Sequence, residues 1–87
     1  MMNFLPIGTV VLLKEATKKI MIIGYLASDK ENEKVIYDYI ACLYPEGIVS
    51  SQQYLLFNHE QIDKIFYKGY DGEERKDLLD RLLEAKK

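Results

Sequence analysis

The sequence predicts a mainly β domain with α+β character, either a small barrel or a strongly bent five-stranded antiparallel sheet. A one-turn helix is expected between strands four and five, and an amphipathic helix at the C-terminus. Three observations predict this. Short runs of β-branched and aromatic residues recur between turn residues. A single good N-cap residue, Asn58, interrupts the later runs. Leucines spaced by three and four appear only after Asp71. The 87 residues suffice for one domain, 1–87, with a β part over 1–70 and a helix over 71–87 packed on it.

Pro6 and Gly8 open the first strand, Thr9 to Lys14 (Thr-Val-Val-Leu-Leu-Lys), which is too short for an amphipathic helix. Glu15, Ala16 and Thr17 make the hairpin connection. The second strand, Lys18 to about Ser28, places Ile20, Ile22 and Leu26 on one face and Met21, Ile23 and Tyr25 on the other, so both faces need cover. Gly24 in its middle marks a bulge or a sharp bend. Asp29 to Lys34 holds no apolar residue and reads as a solvated loop.

Val35 to Tyr44 is the third strand. Asp38 interrupts one of its faces, and an unpaired buried carboxylate would cost several kcal/mol, so Asp38 is expected near a strand end, in water or facing a lysine. Pro45-Glu46-Gly47 forms a turn, and Gln52 to Phe57 a fourth strand. Asn58 to Gln61 is a single helical turn capped by Asn58, after which Ile62 points inward. Asp63 to Gly69 is the fifth strand, with Ile65 and Tyr67 sharing a face opposite Phe66. Asp71 caps the terminal helix, Glu74 completes a capping box, and the helix runs to about Ala85. Leu78, Leu79, Leu82 and Leu83 are its apolar stripe, expected to dock on the sheet. This order of elements is the layout of an SH3-like small barrel, by analogy of element order.

Composition narrows the function classes. Twelve basic and 14 acidic residues give a formal net charge of −2, which disfavours a nucleic-acid binder relying on overall positive charge. Cys42 is the only cysteine, so no intrachain disulfide forms and a reducing cytoplasm is expected. Met1 to Gly8 lacks the pattern of a cleaved leader, and no run approaches the ~18 to 20 apolar residues of a membrane-crossing helix.

The residues able to carry chemistry lack companions. His59 is the only histidine, and His59-Glu60 without a second histidine four residues on is not a zinc motif. It reads as a first-turn helix residue. Cys42 lies in the most apolar strand, as inert packing. Glu46 and Glu60 read as a turn acid and a helix N-terminal acid rather than a catalytic pair. Gly8, Gly24, Gly47, Gly69 and Gly72 are too scattered for a phosphate loop. Neither a cofactor nor a metal is expected. Tyr37, Tyr39, Tyr44 and Tyr54 could offer aromatic faces to a peptide, although most tyrosines are expected in the core or in cross-strand packing.

Five strings stand out: Leu5-Pro6-Ile7-Gly8-Thr9-Val10-Val11-Leu12-Leu13-Lys14, Lys18-Lys19-Ile20-Met21-Ile22-Ile23-Gly24, Tyr37-Asp38-Tyr39, Cys42-Leu43-Tyr44-Pro45-Glu46-Gly47 and Phe57-Asn58-His59-Glu60-Gln61-Ile62-Asp63. Together they resemble a domain-of-unknown-function family, family 4176, of small proteins from Gram-positive Firmicutes. The chain departs from the family's pattern at Glu15 and Ala16, where relatives often carry glycine. The resemblance implies genes in type VII secretion loci, near LXG-type toxins and small helical secretion proteins. It implies no catalytic residues.

The expected function is therefore that of a non-enzymatic, cytoplasmic protein-binding accessory protein, a chaperone or targeting factor for an LXG-type toxin or a small helical secretion protein. The expected contact surface is Tyr44, Pro45, Glu46 and Gly47 together with Asn58 and His59, since polar turn residues beside aromatics are common binding sites. The alternative is an immunity protein that blocks a toxin through Asp71, Glu73 and Glu74. A monomer or weak homodimer is expected, without nucleic acid or membrane.

Overall fold

The computed structural model describes residues 4–29, 31–50 and 54–86. Its elements are β1 (Val10–Leu13), β2 (Ile20–Asp29), β3 (Asn32–Leu43), β4 (Leu55–Phe57), a 3-10 turn (His59–Gln61), β5 (Ile62–Tyr67) and α1 (Glu74–Lys86). The strands form one antiparallel sheet in the order β4-β3-β2-β1-β5. The sheet does not close: β4 and β5 remain its two edges, so the bent open sheet is found and not the barrel.

The bend begins in β2. Ile22 pairs with Ala41 and Gly24 with Ile40, leaving Ile23 as an extra residue. A β-carbon on Gly24 would stand 2.4 Å from Ile40 Cγ2, so this crossing requires a residue without a side chain. Two residues on, Leu26 takes a positive φ of 49°, although Leu26 still packs against the core.

The charged run Asp29 to Lys34 is not the expected loop. β2 continues to Asp29, which pairs with Asn32, and β3 begins there. The main chain gains ladder bonds while the Glu33 and Lys34 side chains stay exposed, so a run without apolar residues can extend a hairpin at no desolvation cost. Of the predicted strand Gln52 to Phe57, Leu55–Phe57 is strand and residues 51–53 lie outside the described residues.

β5 departs from simple alternation. Ile65 and Tyr67 pair with the successive β1 residues Val11 and Val10, and successive strand residues face opposite sides. Ile65 and Tyr67 therefore do not share a face, because a register shift between them leaves Phe66 extra.

Phe4, Val11, Ile20, Ile22, Tyr39, Ala41, Phe57 and Leu82 make the core cluster. Leu79 and Leu83 pack against it, which docks α1 on the sheet, while Leu78 stays 42% exposed at the margin. The helix starts at Glu74 rather than beside an Asp71 cap. Asp71 Oδ1 instead accepts from Arg75 Nη1 at 2.8 Å, a charge-assisted bond that competes with capping. Among the described residues no helix is long and apolar enough to cross a membrane.

Candidate functional site

The two halves of the expected contact surface lie apart. After β3, the chain turns through Tyr44 to Gly47: Gly47 N–H donates to Leu43 C=O at 2.8 Å with φ 79° at Gly47, and the Tyr44–Pro45 peptide is cis. Lys18 Nζ closes the turn on Glu46, 2.7 Å from Oε1 and 2.8 Å from Oε2. That hydrogen bond holds the Glu46 carboxyl below the usual carboxylate range. Both partners are exposed, so the pair positions the turn more than it stabilises the fold. Tyr44 is 42% exposed beside it.

Asn58 and His59 gather around Asp38 and Tyr39, about 20 Å along β3 from Tyr44 at the rise of an extended chain. Asp38 is buried, contrary to the expected strand-end position, and it has partners that make burial tolerable. Its Oδ2 accepts from His59 N–H at 2.9 Å, and its own N–H donates to Asn58 Oδ1 at 3.1 Å. Asn58 occupies the N-cap with extended φ and ψ, and Gln61 Oε1 reaches back to Asn58 N–H at 2.8 Å. The carboxylate thus meets an N–H group, that of His59, which a helical start leaves unused. A residue type that looked unsuited to the strand is what anchors the β4–β5 connection.

His59 is partly buried, and its Nδ1 lies 2.7 Å from the hydroxyl of fully buried Tyr39. Burial pushes the Tyr39 phenol up to about 12. Tyr25 is raised as well, by burial, against the lowering influence of Arg75. Glu60 is exposed, and the ion pair of Glu46 is with Lys18 rather than with a second carboxylate. Among the described residues no three His, Cys, Asp or Glu side chains converge as a metal site, and Cys42 is a buried free thiol.

The most distinctive surface was not among the expected site residues. Ile65, Phe66 and Tyr67 on edge strand β5 are 52%, 49% and 64% exposed, and Tyr70 just beyond is 81% exposed. Gly69 N–H donates to Thr9 Oγ1 at 3.0 Å, which draws the residues after β5 against the entry to β1, near half-exposed Ile7. Lys19 Nζ sits 4.4 Å from the centre of the Phe66 ring, a cation–π contact on the same surface. The signal in the sequence was the run Ile65-Phe66-Tyr67, apolar at every position and too short to be buried on both faces at the end of a sheet. Alternation alone hid it, because the register shifts break alternation.

The profile of a family described as a domain of unknown function, DUF4176, matches residues 4–78. No curated protein and no solved structure matches the chain.

Proposed function

The chain belongs to the DUF4176 family, and from that premise we propose that it is a non-enzymatic protein-binding accessory protein of the cytoplasm, a chaperone or targeting factor for toxins exported by type VII secretion. The observation that carries the binding reading is the exposed apolar run Ile65, Phe66 and Tyr67 on edge strand β5, with Tyr70 just beyond it. Fully burying one such side chain contributes about 1.5 to 3 kcal/mol, and a partner that covers several gains accordingly. Lys64 and Lys68 flank the run, one register shift falls within it at Phe66 and another precedes it, devices that discourage indiscriminate edge pairing and favour a specific partner. The secretion context comes from the family resemblance alone.

The immunity reading has less support, because Asp71 of its acidic face is engaged by Arg75 and by Lys68 at 3.9 Å. Co-expression with the toxin encoded beside the gene, followed by pull-down, tests the proposal. A complex that Phe66→Ser and Tyr67→Ser abolish is the expected result. No complex, with toxin export unchanged on deletion of the gene, overturns it.

A further inference from the structure

The two faces of the sheet carry different charge. Val11 and Leu13 of β1 turn toward the core and α1, so Val10 and Leu12 turn to the opposite face. Residues directly opposite on neighbouring strands share a face. Leu12 pairs with Lys64 and Val10 with Tyr67, which sets Lys64 and Tyr67 on the face away from α1. Lys19 reaches that face as well. Its C=O continues the β2–β3 ladder by accepting from Tyr44 N–H at 3.0 Å, and it precedes core-facing Ile20, the partner of Val11, so it lies across Leu12 from Lys64. Its ammonium rests against the Phe66 ring. Two cations thus border one exposed aromatic pair.

Among the described residues neither cation has an acidic partner. The ion pairs are Lys18–Glu46, Lys68–Asp71 and Arg75–Asp71, and Asp63, next to Lys64 in β5, joins none of them. The exposed acids Glu74, Asp77, Asp80 and Glu84 lie on α1, behind the other face. A chain of net charge −2 therefore keeps unpaired positive charge beside exposed aromatic rings. The complement of such a surface offers carboxylates to the ammonium groups and an apolar side chain to the rings.

We infer that this face receives an acidic segment of a protein partner, with carboxylates on Lys19 and Lys64 and an apolar side chain on Phe66 and Tyr67. The inference rests on the protein-binding reading above and names the partner's chemistry. A second copy fits poorly, because a two-fold contact lays the same patch on itself and lysine would meet lysine. Phe66 and Tyr67 also open only on the order of 200 Å² of ring surface, against about 800 Å² per partner in a stable interface between domains. That area suits a short segment. A bilayer fits poorly too, since anionic lipid is held by clusters of about four to eight basic residues.

A fluorescein-labelled peptide, Glu-Leu-Asp-Phe-Leu-Glu, titrated into the full chain and followed by anisotropy tests the pairing, with Gln-Leu-Asn-Phe-Leu-Gln as its uncharged match. The acidic peptide is expected to bind about three- to tenfold tighter, the range for two exposed ion pairs, and the difference is expected to shrink as salt rises. Lys19→Gln combined with Lys64→Gln is expected to remove that advantage and to leave the uncharged peptide unaffected. Lys76→Gln combined with Arg81→Gln takes the same charge from α1 and is expected to change neither affinity.

Equal affinity for the two peptides overturns the inference, as does no binding of the acidic one at millimolar concentration or an advantage that survives loss of both lysines. A dimer in sedimentation that the Lys19 and Lys64 substitutions dissolve gives the face to a second copy, and lysine-dependent binding to phosphatidylserine vesicles gives it to a bilayer; either result overturns the inference. A toxin captured through Phe66 and Tyr67, with capture unchanged by the lysine substitutions, sinks this inference alone, whereas failure of capture sinks the binding proposal.

Discussion

Tyr39 Oη and His59 Nδ1 stand 2.7 Å apart, and a third group reaches the same phenol. Leu5 N–H donates to the Tyr39 oxygen at 3.0 Å. One buried hydroxyl thus joins the residues ahead of β1, β3 and the 3-10 turn.

Removing that hydroxyl tests how much it supports. Tyr39→Phe keeps the stacked contact with Phe57, whose centroid lies 5.1 Å away, but leaves the Leu5 N–H without its acceptor. The expected loss is about 1 to 3 kcal/mol, the range for an orphaned buried donor. Urea unfolding measures it, with the midpoint lowered and the slope unchanged. A loss below about 0.5 kcal/mol would mean that water replaces the phenol and that the three segments are held by packing instead.

The same phenols predict alkaline instability. Burial raises Tyr39 from 10.0 to about 12 and raises Tyr25 in the same direction. An acid whose folded pKa exceeds its unfolded value keeps its proton longer in the fold, so above pH 10 the unfolded state binds fewer protons and gains population. Stability from these two groups is complete below pH 10; the share of Tyr39 is lost as pH rises through about 12, and that of Tyr25 as pH rises through its own raised pKa. Melting temperatures between pH 9 and 12 should fall, and the fall should be shallower in Tyr39→Phe. Phenolate absorbance rising at pH 10 in step for all seven tyrosines, with no lagging component, would contradict the assignment.

The succession of elements along the chain, the capped turn after β4, the bulge at Gly24 and the docking of Leu79, Leu82 and Leu83 were legible because each depends on local pattern: period, cap or absent side chain. The fate of Asp38 was not. Its burial depends on the His59 N–H and the Asn58 side chain, which lie 21 and 20 residues away, and a one-dimensional reading sees only an isolated carboxylate. The β5 surface was hidden for a related reason. Register shifts are properties of a strand pair, so the side that Tyr67 takes follows from Val10 as well as from its own sequence. Asp71 was misread because two local uses compete for it, and the guanidinium of Arg75 on the facing turn takes it from the helix start.

Gly24 offers a test of the bend in β2. A β-carbon there would come within 2.4 Å of Ile40 Cγ2, closer than atoms tolerate, so Gly24→Ala should cost about 1 to 3 kcal/mol through overpacking. Ile40→Leu moves the branch from Cβ to Cγ and removes the offending methyl. Added to Gly24→Ala, it should recover most of the loss, giving a coupling of about 1 kcal/mol or more in a double-mutant cycle. Additive effects would place the cost of Gly24→Ala in the backbone rather than in this contact.

The first hairpin carries an avoidable cost. Glu15 sits at φ 64° with its side chain exposed, in the turn where Ala16 N–H donates to Leu13 C=O at 3.1 Å. A left-handed conformation costs an ordinary L-residue about 1 to 2 kcal/mol. Glycine escapes that cost but loses about 0.4 to 1 kcal/mol to the greater freedom of its unfolded chain. Glu15→Gly should therefore stabilise the domain by about 0.5 to 1 kcal/mol, read as a raised urea midpoint. Leu26, at φ 49°, supplies the control. It packs against the core, and losing about 1.5 to 3 kcal/mol of burial outweighs the relief, so Leu26→Gly should destabilise. If both substitutions move stability the same way, backbone strain is not what separates the two sites.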